Sequence, residues 1–144
     1  MGRVILGLLK GGLVGAAVGM GALKLGIAGG VLAVVAYALI GGLTGIVAGR
    51  PPWRQETIWT TALKGIFGAL VGSGLYWAAR KVLGGAHLAA VARLGLPDRP
   101  LVELPALLGP LVGAVWGIFV EIDDSIGVKP AAKSAAKPGV SARR

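Results

Sequence analysis

The chain has 144 residues, 55% of them hydrophobic and 15% charged, with a formal net charge of +9. Soluble domains carry about a quarter charged residues, and a fold of this size could not bury so much apolar surface while keeping a wet exterior. Cysteine and asparagine are both absent, which excludes disulfides, thiolate metal sites, a cysteine nucleophile and N-glycosylation.

Four hydrophobic segments follow one another at about 4–23, 26–49, 57–79 and 101–122. Each is close to the roughly 20 residues that cross a bilayer as a helix. A lone strand in lipid would leave its backbone groups unpaired, and the alternation of a membrane barrel is missing. The expected fold is all-α and integral to the membrane, with about four glycine-zipper transmembrane helices. A membrane domain over 1–127 then precedes a disordered basic tail over 128–144.

The first segment opens MGRVILGLL, one arginine and then an apolar run, as a signal peptide does. No small-residue cleavage site stands out, so it reads as a retained span. Gly2 does not make a myristoylation site, because Leu6 stands where Ser or Thr is needed. Arg3, Lys10 and Lys24 are spaced by multiples of seven and fall within about 60° on a helix. Such a stripe also suits a helix lying in the interface, but a span is the preferred reading.

The second segment is free of charge from Leu25 to Gly49 and stops at Pro51 and Pro52. Arg50, Trp53 and Arg54 belong at the interface, and Thr57 is a suitable N-cap for the next helix. The third segment opens at Trp59 and closes with Tyr76, Trp77, Arg80 and Lys81. Trp59 to Trp77 spans roughly 27 Å of helix, close to the hydrocarbon thickness. These aromatic and basic residues, with Trp53, are the expected interface anchors. Lys64 lies inside Trp59, and snorkelling accounts for it and for Lys10.

Leu88, Val91 and Leu94 have helical spacing and predict a short interfacial helix before the fourth segment. In that segment Pro105 fits a first turn and Pro110 predicts a kink. The acidic cluster Glu121, Asp123 and Asp124 falls at a helix C-terminus, where the dipole disfavours it. Its expected place is in water beside basic groups. In the tail, Lys129, Lys133, Lys137, Arg143 and Arg144 are expected to contact anionic lipid headgroups, at about 1 kcal/mol each. The tail has no aromatics on which bases could stack, which disfavours nucleic acid. Arg3, Arg50, Arg54 and the tail share one side, and Lys24, Arg80, Lys81, Arg93 and Arg99 the other. The bias places both termini in the cytoplasm. Residue usage rich in Ala, Gly and Arg is that of a GC-rich bacterium, so the expected location is the bacterial cytoplasmic (inner) membrane, multi-pass.

Glycine recurs every fourth residue at Gly7, Gly11, Gly15 and Gly19, at Gly41, Gly45 and Gly49, and at Gly109, Gly113 and Gly117; Gly68 and Gly72 add a pair, as do Gly26 and Gly30. Lipid tails are as apolar as leucine, so helices associate there by close packing, which small residues permit. These stripes are the expected helix-packing residues, and packing within one bundle and self-association are both open to them. Such spans resemble, in spacing and span count only, proton-ring subunits, the mitochondrial inner-membrane translocase family and membrane-shaping proteins. A proton-ring subunit needs a mid-membrane carboxylate, and none precedes Glu56, so that resemblance fails.

No catalytic constellation, cofactor motif or metal-ligand cluster emerges, and the expectation is a protein that is not an enzyme. His87 is the single histidine; Asp98 or Glu103 could approach it, but a loop histidine with no special role is the expected reading. Ser73 lacks the strand that a nucleophile elbow requires, and an interhelical hydrogen bond is its expected use. The reading is a small polytopic membrane protein with a structural or assembly role through glycine-mediated packing. Its partners are the bilayer, anionic headgroups, and a second copy or another membrane protein. The alternative is an oligomeric, holin-like pore; a transporter or enzyme ranks below both.

Overall fold

The computed structural model describes residues 2–48, 58–87 and 90–126. Among them the chain is all-helical: α1 (Gly2–Lys24), α2 (Gly30–Val47), α3 (Ile58–Leu83), α4 (Ala90–Arg93) and α5 (Pro105–Ile126), with one 3-10 turn at Leu101–Glu103. α1, α2, α3 and α5 are each long and apolar enough to cross a membrane. Even α2, at 18 residues, rises roughly 27 Å. This is the build of a multi-pass membrane protein.

The helix ends depart from the sequence expectations for local reasons. α2 begins four residues later than expected, because Gly26 and Gly30 adopt φ of +72° and +70° and turn the chain. The Gly26 amide donates to the Leu23 carbonyl at 3.0 Å and the Ile27 amide to the Ala22 carbonyl at 2.9 Å. That is the Schellman closure of α1, and its left-handed residue is most cheaply a glycine. Gly26 and Gly30 therefore form a turn rather than a packing pair.

α3 continues to Leu83 and carries Arg80 and Lys81 in its last turn, where cations complement the helix dipole. α5 starts at Pro105, after the 3-10 turn, and runs through Pro110 as a single helix to Ile126. The predicted interfacial helix is a single turn, α4, with Val91 buried and Leu94 exposed; Leu88 lies outside the described residues. So do Gly49, Trp53, Thr57 and the 128–144 tail with its basic residues.

The four long helices associate as two antiparallel pairs, α1 with α5 and α2 with α3. Both pairs close on glycine. Gly7, Gly11 and Gly15 lie against the backbone of Gly117, Gly113 and Gly109, and Gly19 lies against Pro105. In the second pair Gly41 faces Gly68 and Gly72, and Gly45 faces the Lys64 carbonyl. α2 also touches the first pair, with Thr44 Cγ2 beside Gly11 and Ile40 Cδ1 beside Gly109.

Between the pairs lies a core of Ala33, Tyr37, Ile40, Tyr76, Val102, Leu108 and Val112. The rings of Tyr37 and Tyr76 stack there at 4.6 Å and 12°. Leu13, Leu32, Leu63, Ile66, Phe67 and Leu70 face outward. Small residues inside and large apolar ones outside is the arrangement expected of helices that pack by contact in lipid.

Candidate functional site

Charged and polar groups converge at the end of the bundle that holds the start of α1 and α3 and the finish of α5. Lys10 Nζ donates to Glu121 Oε1 at 2.9 Å, tying α1 to α5. Lys64 pairs with Asp124, tying α3 to α5. The Glu121 side chain is 8% exposed and the Lys10 side chain 34%. The glycine seam makes room for this pair: the Glu121 Cγ lies 3.0 Å from where a Cβ on Gly7 would stand. Any side chain at position 7 would compete with the stem of the carboxylate.

Two expectations change here. Lys10 and Lys64 are held by carboxylates from α5, so snorkelling alone does not account for them. The acidic cluster stands beside basic groups as expected, but Glu121 is buried rather than in water. An ion pair out of water persists when its Coulomb attraction and hydrogen bond offset two desolvation costs. In a membrane helix such a pair marks a place of interest, because charge there is expensive.

Beside these pairs, α3 and α5 diverge and leave a cleft of about 540 Å³ lined by Thr60, Leu63, Lys64, Phe67, Trp116, Phe119, Val120 and Asp123. α3 and α5 belong to different glycine-closed pairs, so no glycine seam joins their backbones, and they meet instead through the Lys64–Asp124 pair and the rings of Phe67 and Trp116, 5.7 Å apart. The polar residues Thr60, Lys64 and Asp123 lie toward the end of the bundle, and the aromatic floor lies about 10 Å deeper, from Asp123 to Trp116 along α5. A second cleft, about 230 Å³ and apolar throughout, lies between α1 and α2 and includes Val18, Leu32 and Leu39. Tyr37 Oη, Thr44 Oγ1 and Trp116 Nε1 are buried without hydrogen-bond partners among the described residues.

The other sequence-predicted residues fall as follows. Gly7, Gly11, Gly15, Gly19, Gly41, Gly45, Gly68, Gly72, Gly109, Gly113 and Gly117 all lie on interhelical seams. Trp59, Trp77, Arg80 and Lys81 are exposed near the ends of α3. Tyr76 is not: its ring is buried against Tyr37, with the Arg80 guanidinium 6.0 Å from its centre. An anchor would have to present its hydroxyl to the interface, and burial removes Tyr76 from that set. Ser73 Oγ donates to the Ala69 carbonyl of its own helix at 2.9 Å, in place of the expected interhelical bond among the described residues.

His87 and Asp98 approach to 3.4 Å at the opposite end, both exposed. No group of three His, Cys, Asp or Glu side chains that could hold a metal ion occurs among the described residues. What sequence reasoning missed is the pair of lysine–carboxylate contacts. Their signal was available: two lysines inside spans near one end, and three acids in the last turns of the helix that finishes there. No family model, curated protein or solved structure matches this chain.

Proposed function

We propose that this chain is an integral membrane protein with a structural or assembly role, built by glycine-zipper packing. The observation that carries the reading is the run of backbone contacts from Gly7–Gly117 to Gly19–Pro105, repeated between α2 and α3. Those contacts join the helices within one copy, so the glycine faces are already occupied. A second copy or another membrane protein would dock on the outer faces, where Leu, Ile, Val and Phe side chains stand. The protein belongs, on this reading, to a bacterial inner membrane with both termini in the cytoplasm, the tail lying on anionic headgroups.

The second reading is an oligomeric pore. The charged pairs at one end favour it, since they bring ionisable groups inside the bundle. Its path would run between copies, because the stacked rings of Tyr37 and Tyr76 fill the space between the two pairs. Reconstitution in liposomes separates the readings. A structural role gives vesicles that retain trapped ions and dyes while labelled copies bleach in more than one step. Release from vesicles containing inserted protein would overturn it in favour of the pore.

A further inference from the structure

We infer that the cleft between α3 and α5 is a binding site for one lipid whose headgroup carries both a phosphate and a primary ammonium, as phosphatidylethanolamine does. This rests on the membrane reading given above and adds a ligand to it.

The first argument is the gradient of polarity. Antiparallel α3 and α5 place Thr60 and Asp123 at one end of the cleft and Phe67 and Trp116 at the other. A lipid entering from the end of the bundle meets polar groups with its head and apolar side chains with its acyl chain. The volume, about 540 Å³, lies in the range of about 300–1,000 Å³ common to small-molecule sites. The second cleft lacks this gradient, since its lining is wholly apolar.

The second argument is charge. Among the described residues the mouth holds the Lys64 ammonium, the Asp124 carboxylate paired with it, and the exposed carboxylate of Asp123. Lys64 uses one of its three donors on Asp124 and keeps donors for a phosphate oxygen. Asp123 is exposed and makes no ion pair among the described residues, so its carboxylate can accept from an ammonium. A choline headgroup carries no N–H to donate, and a glycerol headgroup carries no cation. Of these three headgroups only the ethanolamine satisfies both Lys64 and Asp123. An anionic lipid would set its charge beside Asp123 without compensation.

The test uses the full chain with Trp53, Trp59 and Trp77 changed to Phe, so that Trp116, on the floor of the cleft, is the only tryptophan and is excited selectively beyond the absorption of Tyr37 and Tyr76. The protein is reconstituted in vesicles of phosphatidylcholine, and lipids brominated on the acyl chain are titrated in with ethanolamine, choline or glycerol headgroups. The expected result is several-fold tighter exchange, read as quenching of Trp116, for the ethanolamine lipid. Asp123→Asn is expected to remove that preference while helical circular dichroism stays unchanged, because Asp123 is a surface residue. Leu63→Phe, which narrows the cleft, is expected to weaken quenching by all three.

Equal quenching by the three lipids overturns the site while leaving the membrane reading standing. Tighter exchange of the glycerol lipid overturns it too, because Asp123 would then repel its ligand. No quenching by any lipid, with the protein floating with the vesicles, overturns the site alone; protein that does not float with the vesicles overturns the membrane reading as well.

Discussion

Replacing Gly11 by alanine tests the seam between α1 and α5 at its tightest point. A Cβ there would overlap the carbonyl oxygen of Gly113, stand 2.6 Å from its carbonyl carbon and 3.1 Å from Thr44 Cγ2. Carbon atoms rest at about 3.5–4.0 Å, so α5 must withdraw by about 1 Å. The obstacle is backbone, which cannot rotate away as a side chain would. Overpacking of this kind costs about 1–3 kcal/mol, and a gap of that size forfeits about a quarter to a half of the dispersion along the seam. Alanine's better helix propensity returns about 1 kcal/mol, leaving a net loss of about 2 kcal/mol.

Gly12, the next residue, supplies the control. A Cβ on Gly12 would meet only Ala114 Cβ at 3.9 Å and the Pro110 carbonyl oxygen at 4.0 Å, which is ordinary contact. Gly12→Ala is therefore expected to be neutral or stabilising by up to about 1 kcal/mol. Unfolding in mixed micelles, followed by helical circular dichroism, would place the two neighbours about 3 kcal/mol apart. Equal responses from both variants would refute the reasoning, because only tertiary contact distinguishes the two positions.

Lys10→Met leaves the buried Glu121 carboxylate without this ammonium, and the same unfolding assay should show a loss of about 1–3 kcal/mol, most of it recovered in Lys10→Met combined with Glu121→Gln. Thr44 is fully buried and its hydroxyl has no partner among the described residues, so Thr44→Val should be neutral or stabilising by about 1 kcal/mol; a clear loss would mean the hydroxyl is bonded. Ile40→Ala empties a fully buried site beside Gly109 and should cost about 1–3 kcal/mol, below the usual range for water-soluble cores because lipid removes most of the transfer term. Ser73→Ala breaks only a bond within α3, so its effect should stay within about 0.5 kcal/mol; a larger loss would show that Ser73 bridges helices.

The sequence determines the helices and the faces that can approach closely. Runs of about 20 apolar residues force helices, since any other backbone would leave polar groups unpaired in lipid. Glycine at every fourth position marks one face of each helix, because 3.6 residues per turn carries such a run along a single stripe. Pro105 and the glycines between α1 and α2 fix local starts and stops, although the turn at Gly26 was hidden behind a spacing that also reads as a packing pair.

Only the tertiary structure decides which stripe meets which. Four helices with similar stripes admit several pairings, and the spacing does not rank them. The joining of α1 with α5, residues more than 80 positions apart in the chain, brings Lys10 to Glu121. The same choice leaves α3 and α5 without a glycine seam and so opens the cleft over Trp116. The placing of Tyr76 was equally out of reach, because an aromatic ring before a basic pair satisfies both an interface and a stacked core. Its partner, Tyr37, lies on another helix, and only the packing of the pairs brings the two rings together.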